Sequence, residues 1–422
     1  ISWFMEPHGH INKTVLPNGI TVVSEHVDFV RSAAIGIWVE AGSRDETPEN
    51  NGIAHFMEHM VFKGTQTRSP FEIANTIESF GGQINAFTGK ELTCFYARVL
   101  DENLPDAIDV LSDILLNPVF RPEDVEREKS VVLEELSDVE DTPSEFIHEL
   151  FVEQMYPDYP LGYNILGTRD SIRNFSPEKI REFTEKYYLP ERMVVAVVGH
   201  VDHKRLVELV KTSLGSMESS VSNPRHLTDP PKSVVGTKVH TDGLQQAHLV
   251  TGVRTFPYND SRRYALLVLN TVLSGGMSGR LFQNIREKYG FVYSIYSFMD
   301  FYLNDGLFGV YVGTETSQLE FMQVKVTEEL QSLKNEPILE EELRKVKTQV
   351  KGSIVLSLEN MFNRMNRLAK QDIYFGEFQT IDEFMAEVES VTIDDVHSLA
   401  NDIFSGENFV TSILKPADKY SN

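Results

Sequence analysis

The chain of 422 residues runs through one pattern of elements twice, and that duplication limits what it can fold into. Leu92-Thr-Cys-Phe-Tyr-Ala-Arg-Val-Leu100 reads as a strand and is followed by a helix, by Asn117-Pro118 and by a Glu-rich helix. Leu307-Phe-Gly-Val-Tyr-Val-Gly313 is followed by a helix, by Glu336-Pro337 and by another charged helix. The halves also close alike, on the apolar runs Tyr188 to Val198 and Ile403 to Leu414. Between them, Ser216 to Pro231 is rich in Ser and Pro and reads as a surface linker. The pattern predicts a first domain over 11–215, a linker over 216–235 and a homologous second domain over 236–422. Strands mix with long helices without regular βαβ alternation. The expected fold is therefore α+β: two duplicated domains, each a mainly antiparallel sheet with helices packed on one face.

The segment from Asn51 to Phe62 carries chemistry. On a helical wheel with Asn51 as N-cap, Ile53, Phe56, Met57, Met60 and Val61 form one apolar face. His55, Glu58, His59 and Phe62 gather on the other side. Two imidazoles one turn apart can offer ring nitrogens to a single tetrahedral Zn²⁺, and a glutamate just before the second histidine reaches a water there as general base. This is the H-x-x-E-H arrangement of inverted zinc peptidases. Two surface histidines on an amphipathic helix are the plain alternative.

A catalytic zinc site takes three protein ligands and keeps a fourth position open. The run after Pro122 as far as Leu136 lacks Gly and Pro and reads as a helix. Glu128 and Glu135 share a stripe on it, although most Glu-rich helices simply present a solvated face. The second half has no copy of this chemistry. Counted from the paired prolines, Ile354 stands where Glu135 does, and Ser274 to Phe282 stands in place of the His-bearing helix.

Composition excludes several classes. A formal charge of −24 argues against a nucleic-acid partner and favours cationic ligands. No run of 18 or more apolar residues exists, so no membrane span is expected. The one cysteine, Cys94, lies in an apolar strand, so no intrachain disulfide is possible and a reducing compartment is expected. Residues 1–10 fit neither strand nor helix and read as a foreign or disordered segment, and His8 and His10 are left out of the metal argument. The absence of a targeting signal fits a bacterial cytoplasm, with the mitochondrial matrix as the alternative for a chain whose presequence has been removed.

Taken together, these motifs resemble the pitrilysin-type metallopeptidases, most closely the β-subunit of the mitochondrial processing peptidase and its single-gene bacterial relatives. The resemblance runs from Leu16–Val23 to Phe409–Leu414, through Gly52–Thr65 and Gly81–Thr88. It implies one Zn²⁺ per chain on His55, His59 and a glutamate 76 positions after the second histidine, which is Glu135 rather than its neighbour Glu134. Glu58 is then the base, and Glu128 supports the site from behind.

The same resemblance assigns substrate contacts. Arg286 and Tyr293 match a family arginine and tyrosine that approach the substrate at the zinc, where they would hold the scissile carbonyl and developing oxyanion. In longer relatives these come from the far half of a clamshell, and this chain has half that length. It is therefore expected to form a homodimer in which Arg286 and Tyr293 act in trans. A structural ion pair for Arg286 and a core position for Tyr293 are the alternatives. Asn85 and Ala86 lie on the segment that pairs with extended peptide in the family. Glu145 and Glu149 match acidic positions that receive a substrate arginine.

The expected activity is a zinc endopeptidase acting on unfolded or extended peptides in a dimeric chamber, near basic residues. A non-catalytic peptide-binding or assembly subunit and a metallohydrolase of a small amide are the competing readings. His200, His203, Ser274 to Gly276, Trp3 and Trp38 are given no role in the site.

Overall fold

A computed structural model describes residues 11–219, 225, 227–406 and 408–417. The segment 1–10, with His8, His10 and Trp3, and part of the expected linker lie outside them. The chain divides into two compact units. The first comprises Ile1–Leu136, Tyr163–His226 and Leu356–Thr380; the second comprises Ser137–Gly162, Leu227–Val355 and Ile381–Asn422.

The first unit is built on a six-stranded sheet of β1 (Ile11–Val15), β2 (Thr21–His26), β3 (Ser32–Val39), β4 (Gln83–Thr88), β5 (Thr93–Leu100) and β6 (Met193–Gly199), in the order β1-β2-β6-β3-β5-β4. Only β2 and β6 pair in parallel. The run Met193-Val-Val-Ala-Val-Val-Gly199 is buried throughout, as a strand covered on both faces must be. On one face Ile35, Ile37, Phe95, Ala97, Val195 and Val197 pack against Phe56, Met57 and Met60 of the helix Ile53–Val61, and against helices further along the first half.

The second unit repeats this layout. Strands β7 (Gly236–Asp242), β8 (Ala247–Arg254), β9 (Val292–Phe301), β10 (Gly306–Thr314) and β11 (Val410–Pro416) lie in the order β7-β11-β8-β10-β9. The closing strand β11 pairs in parallel with β7 and antiparallel with β8, as β6 does with β2 and β3, and β1 has no counterpart among the described residues. The correspondences read from sequence, β5 with β10 and β6 with β11, therefore hold as topology. One detail differs. The first helix after β8 is Arg263–Ser274, so by element order this helix, and not Ser274–Phe282, is the counterpart of the His-bearing helix. Its sequence offers no metal ligand.

The units are not contiguous in sequence, which departs from the linear division at 216–235. Each sheet has a second apolar face, and each is covered by a helix from the other half of the chain. Ala34, Trp38, Cys94, Val194, Ala196 and Val198 pack under Met365, Leu368 and Ala369 of the helix Met361–Phe375. Gly36 lies under this helix, where a Cβ would come within 3.0 Å of the Met365 methyl carbon. In the second unit Ile147, Leu150, Phe151 and Met155 of the helix Pro143–Met155 cover Val250, Tyr311, Val410 and Leu414. Helices thus lie on both faces, one face being closed by a single exchanged helix. Among the described residues no helix is long and apolar enough to cross a membrane.

Met365 is fully buried on Gly36 and Trp38. Met365→Ala is expected to cost about 2–5 kcal/mol, read as a lowered denaturant midpoint for the first unit.

Candidate metal centre

The helix Ile53–Val61 starts from a buried polar anchor rather than from an ordinary cap. Asn51, the expected N-cap, lies one residue too early. Gly52 takes that position with φ 91°, and a Cβ there would lie 2.6 Å from Gly167 Cα and from the Leu166 carbonyl oxygen. Two N–H groups at the helix start are taken by Glu46 instead, whose carboxylate accepts from Gly52 N at 2.7 Å and Ala54 N at 2.8 Å. Asn51 serves the same carboxylate at 2.8 Å and spans to the Asn164 carbonyl at 2.8 Å. Burial pushes Glu46 up to about 7, against the pull of these donors.

Its two predecessors are held as firmly. Arg44 pairs with Glu91, which also accepts from Tyr374 Oη at 3.0 Å. Asp45 is gripped by Arg225, with Nε to Oδ1 at 3.0 Å and a second bond from Nη2. Sequence reading found neither Glu46 nor Arg225. The only signal was a run of three charges, Arg44-Asp45-Glu46, shortly before a helix start that favours anions.

The anchored helix and the helix Pro122–Glu140 bring the expected ligands together. Nε2 of His59 lies 3.6 Å from Glu135 Oε2, and Nε2 of His55 lies 3.8 Å from the same oxygen. Tetrahedral zinc with bonds of about 2.0–2.2 Å sets its donor atoms roughly 3.3–3.6 Å apart, so the three atoms fit a zinc shell with little adjustment. Among the described residues this is the only group of three or more His, Cys, Asp or Glu whose ligating atoms lie within 4.8 Å of one another. Glu135 is half-buried and faces the histidines, whereas Glu134 is exposed.

The supporting contacts set protonation. His59 Nδ1 meets Glu128 Oε1 at 2.8 Å, and Lys63 holds the other oxygen of Glu128 at 2.7 Å. With Nδ1 donating, Nε2 is the lone-pair nitrogen, as a ligand requires. Burial lowers His59, but Glu128, Glu135 and Glu58 outweigh it and the net direction is up. Burial raises Glu128, and its bonds to His59 and Lys63 reverse this to a net lowering. His55 is pushed down to about 3, first by burial and then by the charge of His59, so it is neutral and ready to bind metal. Its Nδ1 is buried without a hydrogen-bond partner among the described residues. Glu58 is raised by burial, against the hydrogen bond from Thr88 at 2.6 Å and the charge of His59, a direction that suits a general base.

The other expected residues fall as follows. Asn85 and Ala86 lie on β4, the last strand of its sheet, whose outer side has no partner strand among the described residues. Arg286, Tyr293, Glu145 and Glu149 belong to the second unit. Arg286 is exposed, has no ion pair among the described residues and lies over the Phe282 ring at 4.9 Å. Tyr293 is 52 % exposed on the edge strand β9. Neither matches the structural alternative considered from sequence. Glu145 and Glu149 lie one turn apart on Pro143–Met155, exposed and half-buried respectively. His200 bonds Asp101, and His203 bonds Thr14 and Ser24, so both are occupied structurally. Cys94 is fully buried and its thiol is raised by burial, which leaves it inert.

Comparison with known proteins shows the family of the chain. Residues 21–169 match the family described as Insulinase (Peptidase family M16), and residues 174–350 match that described as Peptidase M16 inactive domain. A Streptomyces coelicolor protein named as an uncharacterized zinc protease is 40 % identical over 97 % of this chain and 90 % of its own length. A Bacillus subtilis protein of the same description is 39 % identical over 96 % of this chain and 98 % of its own length. The fold is that of a crystal structure of a protease from Helicobacter pylori, with TM-score 0.90, 23 % identity and coverage of 97 % of this chain and 100 % of that one. The two halves and their helices are thus those of an established peptidase fold. The chain belongs to peptidase family M16.

One acid-side part of the metal-free protein's pH response follows from His55. Its folded-state value of about 3 lies below the ordinary 6.5, so the unfolded chain binds the proton more readily. The contribution of His55 to stability is complete above 6.5 and is lost as pH falls toward 3. His55→Gln is expected to flatten that loss in thermal unfolding measured across this range.

Proposed function

We propose that this protein is a zinc endopeptidase that cleaves extended peptides. The observation that carries the reading is the convergence of His55, His59 and Glu135 with Glu58 one residue before the second histidine. Zn²⁺ held there supplies Lewis acidity and makes a water acidic enough to lose its proton near neutral pH. Glu58 removes that proton as the water oxygen bonds to the peptide carbonyl carbon. It then returns the proton to the amide nitrogen as the C–N bond breaks, giving a carboxylic acid and an amine. Glu128 and Lys63 keep His59 oriented throughout.

Peptide is the substrate class because β4 offers an open strand edge, and backbone pairing binds chain without demanding a particular sequence. Asn85 and Ala86 would lie nearest the scissile bond. Arg286, exposed and without an ion pair among the described residues, and Tyr293, exposed with a long 3.4 Å bond from its hydroxyl to Glu315, are suited to steady the tetrahedral oxygen. We assign them to the partner chain of a homodimeric chamber with one zinc per chain, in the manner of processing peptidases. Glu145 and Glu149, with the charge of −24, favour cleavage beside arginine or lysine. A bacterial cytoplasm is the proposed location.

A quenched peptide with a central arginine tests this reading. Native protein is expected to cleave it, and Glu58→Gln to cleave about 10²–10⁴-fold more slowly while its zinc content is unchanged. Equal rates in the two proteins, or no cleavage by zinc-loaded native protein at any peptide length, would contradict it.

A further inference from the structure

We infer that Thr88 is a positioning residue for Glu58 and ties the proposed peptide-docking strand to the general base. This rests on the function proposed above. Thr88 Oγ1 donates to Glu58 Oε2 at 2.6 Å, and the Glu58 side chain makes no other hydrogen bond among the described residues. One carboxylate oxygen is therefore held and the other is left for the water. A Glu side chain turns about three bonds, so a single short bond to a fixed donor decides where its free oxygen points.

The donor is well fixed. Thr88 is the last residue of β4, paired across to Thr93, whose own hydroxyl holds the Ala41 carbonyl at 2.9 Å. The next residue closes the hairpin, with Gly89 N donating to the Leu92 carbonyl at 2.8 Å. A β-branched side chain on such a strand has little χ1 freedom. The outer edge of β4 is also where a peptide would add as a strand. A peptide seated there would order the backbone that carries Thr88, and through its hydroxyl the orientation of Glu58. Binding by many backbone contacts would thereby be converted into alignment of one proton acceptor.

Two substitutions in the full-length, zinc-loaded chain separate this role from simple packing. Thr88→Val keeps the shape and is expected to lower kcat about 10- to 100-fold, with KM and zinc content little changed; Thr88→Ser restores the hydroxyl and is expected to recover most of kcat. A rise in KM with kcat intact, or a Ser variant as slow as the Val variant, would overturn the inference. A second readout does not depend on activity. Thr88→Val is expected to lower the unfolding midpoint by about 2–4 °C in the native background and to have almost no effect beside Glu58→Ala. Additive shifts would overturn the link even if no peptide is cleaved, whereas failure of native protein to cleave would count against the proposed function alone.

Discussion

The Glu46 carboxylate closes the start of a nine-residue helix, and the site depends on that closure. A helix this short is marginal in isolation, and its first turn leaves N–H donors without partners. Burying a carboxylate against those donors fixes where the helix begins, and hence the direction in which His55 and His59 project. Arg44 and Asp45 secure the same segment to Glu91 and to Arg225. Each of these pairs is buried, so losing one partner would strand a charge in the interior, and the anchor behaves as a unit. Downstream of it, the His59–Glu128–Lys63 chain fixes ring orientation and Thr88 fixes Glu58.

The two halves show how one layout supports different chemistry. In the first, the helix after β3 and the Glu-rich helix converge on ligand atoms. In the second, the segment that follows the counterpart helix is joined to the long charged helix by direct polar contacts instead. Arg280 makes two bonds to Glu342 at 2.8 and 2.6 Å, and Gln349 reaches the Gly275 carbonyl at 2.6 Å. Both arrangements hold the long charged helix against the short segment beneath it. Among the described residues, only the first leaves nitrogen and oxygen lone pairs aimed at a common point.

Much of this was legible in the sequence where the signal is local. The periodicity of Ile53 to Val61 separated the buried face from the histidine face, because 3.6-residue spacing is a property of the segment alone. The repeated strand, proline and charged-helix order gave the sheet correspondences. The stripe of Glu128 and Glu135 gave the two glutamates, although their assignment to particular tasks came from the family resemblance. What was not legible depends on partners far along the chain. Asn51 looked like a cap because caps are read from nearest neighbours, yet Glu46 takes the helix donors and Asn51 holds Glu46. Arg225 lies in a stretch that composition marks as linker, and its role exists only because Asp45 is buried beneath it. The exchange of the helices Met361–Phe375 and Pro143–Met155 follows from each sheet having two apolar faces, a requirement that alternation shows without saying which helix meets it.

Zinc K-edge X-ray absorption on the purified protein tests the central claim most directly, since it reads ligand type and distance without reference to activity. The account predicts a four-coordinate ion with two imidazole nitrogens and two oxygens at about 2.0–2.2 Å, and loss of the two-imidazole signature in His55→Ala. A thiolate ligand, a six-coordinate all-oxygen shell or a spectrum unchanged by His55→Ala would contradict it.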